Sequence, residues 1–135
     1  VSHRYPTEVL DGNEDDGTMP ANVAELEKAV IGRRIVSSER ETYGLVLTLD
    51  DGTRVSLANT SDCCAFTDLE EFFSHPEMVE HAITGVGTTE GYTKWHIYAD
   101  FGDVMELKVG WSPGNPFYYG YGFDIAIDRF KEKQS

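Results

Sequence analysis

After Gly32 the hydrophobic period of this chain changes from that of a helix to that of a strand, and no motif constrains its fold as strongly. In "ANVAELEKAVIG", Val23, Leu26, Val30 and Ala29 or Ile31 recur at helical spacing. Pro20 stands where a first helical turn tolerates proline, and Gly32 is a stop signal. From Arg33 the period becomes two: "RRIVSSERE", "YGLVLTLDDG" and "TRVSLAN" alternate apolar with polar residues. Asp51-Gly52 predicts a two-residue hairpin between the last two, with Leu45, Leu47, Leu49, Val55 and Leu57 turned inward. The pattern is an antiparallel meander that follows one amphipathic helix.

The segment "NTSDCCAFTDLEEFF" then breaks the alternation. Thr67 and Glu70 match the capping box, in which each side chain satisfies the other's backbone N–H, and this predicts a short helix from Asp68 to about Phe73. "SHPEMVEHA" adds a further turn, and "AITGVGTTEG", "TKWHIYADFG", "VMELKVGWS" and "FYYGYGFDIAID" read as four more strands. Within them Trp95, Ile97 and Ala99 share one face, and His96, Tyr98 and Asp100 the other. The fold class expected is α+β: a mostly antiparallel, twisted sheet of about six or seven strands, an N-terminal helix and a short helix after the third strand. The first 19 residues read as a flexible acidic arm, and 20–135 as one domain.

Charge narrows the function classes. Eleven basic against 24 acidic side chains leave a net charge of −13, which excludes direct binding to a phosphate backbone. From Val55 to Thr93 there is no Lys or Arg, while Asp62, Asp68, Glu70, Glu71, Glu77, Glu80 and Glu90 contribute negative charge. A partner with a basic surface is the complement. No apolar run is long enough for a bilayer, and "VSHRYPTEVLDGNEDDG" has no signal-peptide pattern, so a cytoplasmic protein with no membrane contact is expected.

Motifs for catalysis are absent: there is no G-x-S-x-G, H-E-x-x-H, P-loop or G-x-G-x-x-G. No enzyme activity, cofactor or metal is predicted. Cys63 and Cys64, the two cysteines of the chain, are expected to be reduced. Packing, a reactive thiol and a metal ligand all remain open for them. His75 and His81 could add ligands, but a separation of six does not place them on one helical face, and adjacent cysteines are poorly spaced for one ion. His96, on a strand, reads as a packed or edge histidine. Trp111, Phe117, Tyr118 and Tyr119, in "WSPGNPFYYGYGF", are of the types enriched at interaction hot spots.

Asp51-Gly52, Asp62-Cys63-Cys64, the Trp95-x-x-Tyr98 strand, Gly102-Asp103, Trp111 and the turn Asn115-x-x-Tyr118-Tyr119 together carry a resemblance. Over roughly Leu45 to Ile127 the chain resembles a family of small proteins of unassigned activity, encoded by tailed bacteriophages and their bacterial hosts. The resemblance implies a phage source and the host cytoplasm as location, and implies no mechanism. The function expected is a non-enzymatic accessory protein that binds a host or phage protein as an inhibitor or nucleic-acid mimic. Its surface would comprise Asp62, Asp68, Glu70, Glu71, Glu77 and Glu80 with Trp111, Phe117, Tyr118 and Tyr119. The alternative is a small-ligand or nucleotide-sequestering domain with an aromatic pocket of Trp95, Trp111 and Tyr119. Oligomeric state is left open.

Overall fold

A computed structural model of the chain describes residues 18–61, 65–112 and 122–129. Its first element is helix α1, Thr18–Val30. Met19, Asn22, Val23, Leu26, Ala29 and Val30 are buried, a stripe at steps of three and four that is the helical period realised. The helix begins inside the stretch that the sequence assigns to the arm, because Met19 is a fully buried core residue. Gly32 ends it with φ 79°, and its N–H donates to Ile83 O.

The strands that follow are β1 Ile35–Glu41, β2 Gly44–Leu49, β3 Arg54–Ala58, β4 Thr60–Ser61, β5 Phe66–Ser74, β6 Gly85–Thr89, β7 Lys94–Ala99, β8 Gly102–Ser112 and β9 Asp124–Asp128. A single 3-10 turn, Met78–Glu80, stands between β5 and β6. They form two antiparallel sheets, ordered β1-β2-β3-β9 and β4-β5-β8-β7-β6. The predicted α+β sheet with two helices is therefore corrected: the fold is mostly β, with nine strands in two sheets and one α-helix among the described residues.

The second helix fails for a physical reason. Over Phe66–Glu70 the burial alternates, with Thr67 and Leu69 inward and Phe66, Asp68 and Glu70 outward, which is the period of a strand. Eleven-residue β8 lies alongside and takes up the backbone hydrogen bonds that a helix would have made internally. Thr67 is no cap: it is fully buried, and its Oγ1 accepts from Gly122 N at 2.7 Å.

Leu45, Leu47, Leu49, Val55 and Leu57 face the core as the alternation predicts. The hairpin between β2 and β3 is one residue longer than Asp51-Gly52 alone implies: Leu49 N donates to Thr53 O, leaving Asp50, Asp51 and Gly52 as the loop. Gly52, at φ 88°, takes the left-handed position that such three-residue loops need. Asp51 Oδ1 accepts from Thr53 N at 3.0 Å, and Arg33 approaches its other oxygen at 3.6 Å.

One apolar core fills the space between the sheets, from Val23 and Leu26 through Leu47 and Val55 to Trp95, Leu107 and Phe123. Helix α1 packs against both β6 and β9, one edge strand from each sheet. There Asn22 Nδ2 donates to Phe123 O and Asn22 Oδ1 accepts from Phe123 N, both at 2.9 Å and both buried. Glu27 Oε2 accepts Val86 N at 2.9 Å, so the helix also serves a backbone N–H of β6.

Two expectations follow. Asn22→Ala leaves a buried N–H and C=O of Phe123 without partners and is expected to cost about 2–4 kcal/mol, read as a lower urea midpoint at unchanged slope. The Asp51 carboxyl is held below the usual aspartate range by the Thr53 backbone N–H and hydroxyl, then by Arg33. A depressed folded-state value stabilises above the ordinary aspartate pKa, and that contribution is lost as pH falls through the lowered value. Asp51→Asn should therefore be less stable than wild type near neutral pH and converge with it in acid melts.

Candidate functional site

The sheet of β5, β8, β7 and β6 turns its second face outward, and its register sorts the polar side chains into cross-strand rows. Glu71, Lys108 and Lys94 form one row, and Phe73, Glu106 and His96 the next. Cross-strand neighbours of this kind lie about 4.5–5.5 Å apart, close enough for ion pairs. Lys94 Nζ stands 3.2 Å from Glu90 and 3.5 Å from Glu106. Its pKa is raised, first by the hydrogen bond and charge of Glu90 and then by Glu106. Glu71, Phe73, Lys94, Glu106 and Lys108 bound an open groove of about 350 Å³.

Two bulges shape this face. In β5 the register slips between Leu69 and Glu71, so Glu70 is the extra residue. Arg40 holds the bulge from β1, donating to Leu69 O at 2.8 Å and Glu70 O at 3.3 Å, while Leu69 N donates to Asn59 Oδ1. In β8 the partners of Ile97 and Tyr98 are Met105 and Asp103, with Val104 unpaired between them. A bulge re-aims side chains. Asp103, which strict alternation would place with Met105 inside, here faces His96, with Oδ2 3.2 Å from Nδ1. Thr89 Oγ1 is 2.7 Å from His96 Nε2 on the other side of the ring.

The structure divides the sequence-derived site residues. Asp68, Glu70 and Glu71 are exposed on β5, between the exposed Phe66 (38%) and Phe73 (57%). Phe66, Asp68, Glu71 and Phe73 lie on one outward face, and Gly110 opposite Asp68 leaves that part of it low, with Glu70 lying over it. Glu77 and Glu80 are exposed at the 3-10 turn, apart from β5. Asp62, Cys63, Cys64, Phe117, Tyr118 and Tyr119 lie outside the described residues. The run without Lys or Arg does not make a surface without positive charge, since Arg40 and Lys108 approach β5 from neighbouring strands.

Both tryptophans have structural partners. Glu90, Gly91 and Tyr92 all take positive φ (57°, 65° and 63°), a strained left-handed turn between β6 and β7. Its carbonyls are clamped: Glu90 O accepts from Thr93 Oγ1, Gly91 O from Trp111 Nε1 and Tyr92 O from Trp95 Nε1. Trp95 has no exposed surface and stacks edge-on against Phe123, so it lines no open pocket. Trp111 is half-buried and meets Tyr92 edge-on. His75 and His81 flank Phe101, and His81 Nδ1 is 3.1 Å from Asp100.

Phe66 and Phe73 escaped the sequence reading because the capping-box assignment hid their common strand face. The Thr89, His96, Asp103 and Glu106 grouping had no sequence signal beyond the His96↔Glu106 pairing that a correct strand register would supply. Among the described residues no helix is long and apolar enough to cross a membrane. If Trp111 clamps the turn, Trp111→Phe, which keeps an aromatic ring but loses the donor to Gly91 O and part of the ring packing, should lower stability by at least about 1 kcal/mol in thermal or urea melts.

A family model described as Domain of unknown function (DUF7448) matches residues 28–125. No curated protein and no solved structure matches the chain.

Proposed function

The chain belongs to the DUF7448 family of domains of unknown function, and on that premise we propose that it is a non-enzymatic protein-binding module whose docking surface is the outward stripe of β5. One observation carries the reading: Asp68, Glu70 and Glu71 are displayed on a strand between two exposed phenylalanines, Phe66 and Phe73. An exposed aromatic at each end supplies area to desolvate, and the carboxylates between them select a basic counterpart. The strand is held by its ladder to β8 alongside and by Arg40 at its bulge, so little ordering entropy is lost on docking.

The partner that fits is a protein with a basic surface. The resemblance to phage-encoded proteins makes a host or phage protein in the host cytoplasm the proposed source, with inhibition by occupying a basic nucleic-acid cleft as its sharper form. Glu77 and Glu80 extend the negative potential without belonging to the stripe.

The test is capture from host lysate by the tagged full chain, beside Asp68→Asn/Glu70→Gln/Glu71→Gln and Phe66→Ser/Phe73→Ser. Each variant is first shown to keep the wild-type circular dichroism spectrum and melting midpoint to within a few degrees. A basic protein retained by wild type, released between about 50 mM and 500 mM salt as the charges are screened and lost in both variants is the expected result. Capture that survives in both variants overturns the β5 assignment.

A further inference from the structure

The His96 cluster on the same sheet has features that the docking reading does not use. His96 is on β7, and Asp103 and Glu106 are on β8. One ligand atom from each of the three lies within 4.8 Å of the others, so a small turn of the partly exposed Glu106 side chain brings all three onto a single small cation. The 3.2 Å between His96 Nδ1 and Asp103 Oδ2 suits two atoms bound to one ion. With metal–ligand bonds of about 2.0–2.2 Å, neighbouring ligand atoms stand about 3 Å apart at octahedral angles and about 3.4 Å at tetrahedral ones.

A second, independent observation points to a ligand. The Asp103 side chain is 24% exposed and its Oδ2 faces His96, but its Oδ1 is buried and has no hydrogen-bond partner among the described residues. A carboxylate oxygen withdrawn from water costs free energy unless a cation or donor meets it. The bulge at Val104 sets Asp103 opposite Tyr98 and beside His96, on the face where this oxygen is enclosed.

The surroundings have the form of a supported ligand set. The His96 side chain is only 8% exposed, and its Nε2 lies 2.7 Å from Thr89 Oγ1. When Nε2–H donates to that hydroxyl, the Nδ1 lone pair faces Asp103, which is the tautomer that a metal requires and the outer contact that metal-binding histidines commonly have. Glu106, with a side chain 33% exposed, is the solvent-side ligand. Its neighbour Lys94 keeps a second carboxylate in Glu90, so Glu106 can turn to an ion without leaving that ammonium alone.

We propose that His96, Asp103 and Glu106 bind one divalent transition-metal ion, Zn²⁺ ahead of Mn²⁺, with its remaining positions open to solvent. One imidazole and two carboxylates make a mixed nitrogen and oxygen set that accepts both ions, and the order between them follows the general affinity series. None of the three ligands belongs to the β5 stripe, so failure of either proposal leaves the other standing.

The experiment uses the full chain, stripped of metal, with Mn²⁺ alone and Zn²⁺ alone as probes. Substoichiometric Mn²⁺ added to ¹⁵N-labelled wild type should broaden the amide signals around His96, Asp103 and Glu106 before any others. Zn²⁺ titrated calorimetrically into Cys63→Ser/Cys64→Ser, where thiols cannot contribute, should bind at one site. Asp103→Asn in that background should weaken the binding at least about tenfold, and Thr89→Val, which removes only the outer contact, by about tenfold. Broadening centred elsewhere, such as on Asp11, Glu14, Asp15 and Asp16, overturns the proposal. So does Zn²⁺ affinity unchanged by Asp103→Asn, or no Zn²⁺ binding in the parent. The broadening experiment needs no substitution, so it decides the matter even if a variant folds poorly.

Discussion

Two small sheets leave edge strands whose backbone groups need partners, and the docking of α1 across β6 and β9 is the interaction on which the rest depends. Buried peptide groups are costly unless they are hydrogen-bonded. Asn22 is suited to that demand because one side-chain amide offers both a donor and an acceptor, and it gives both to the single residue Phe123. Farther along the helix, Glu27 accepts from Val86 N. With the helix seated, Met19, Val23 and Leu26 complete the core that the strands begin.

That closure turns one face of β5–β8–β7–β6 inward and leaves the other for solvent. Regular pleating alone would have made the outer face a simple alternation of polar side chains. The two bulges give it its particular geometry: one at Glu70, pinned by Arg40, and one at Val104, which swings Asp103 beside His96. The β5 stripe and the His96 cluster adjoin on that face, since Phe73 shares a cross-strand row with Glu106 and His96, and Glu71 shares the next with Lys108 and Lys94. The left-handed turn at Glu90–Tyr92 has a structural explanation in the same sheet, since two indole N–H groups and a threonine hydroxyl hold its carbonyls. Trp111, which looks like an interaction anchor in the sequence, donates its indole N–H to Gly91 O and keeps its ring half-buried.

The errors and successes of sequence reasoning have identifiable origins. Val23, Leu26 and Val30 were legible because a helix repeats its buried positions over several turns, and Leu45 to Leu57 because a strand does so every second residue. Thr67 and Glu70 misled because a capping box is a four-residue pattern that also fits a strand, and the competing alternation of Phe66, Thr67, Asp68, Leu69 and Glu70 pointed the other way. Local preference lost to β8, which supplied partners for every residue of β5 except the bulged Glu70.

By itself the sequence determined the amphipathic helix, the antiparallel meander, the turn at Asp51-Gly52 and the strong negative charge, because each depends on side-chain order over a short stretch. The division into two sheets was decided only in the tertiary structure, since strand order depends on which edges meet, and nothing local records that. The outer-face sites were decided there too. Asp103 reaches His96 through a register slip, and Phe66 and Phe73 flank three carboxylates only once β5 is a strand, so both depend on pairing between segments more than thirty residues or only a single tight turn apart.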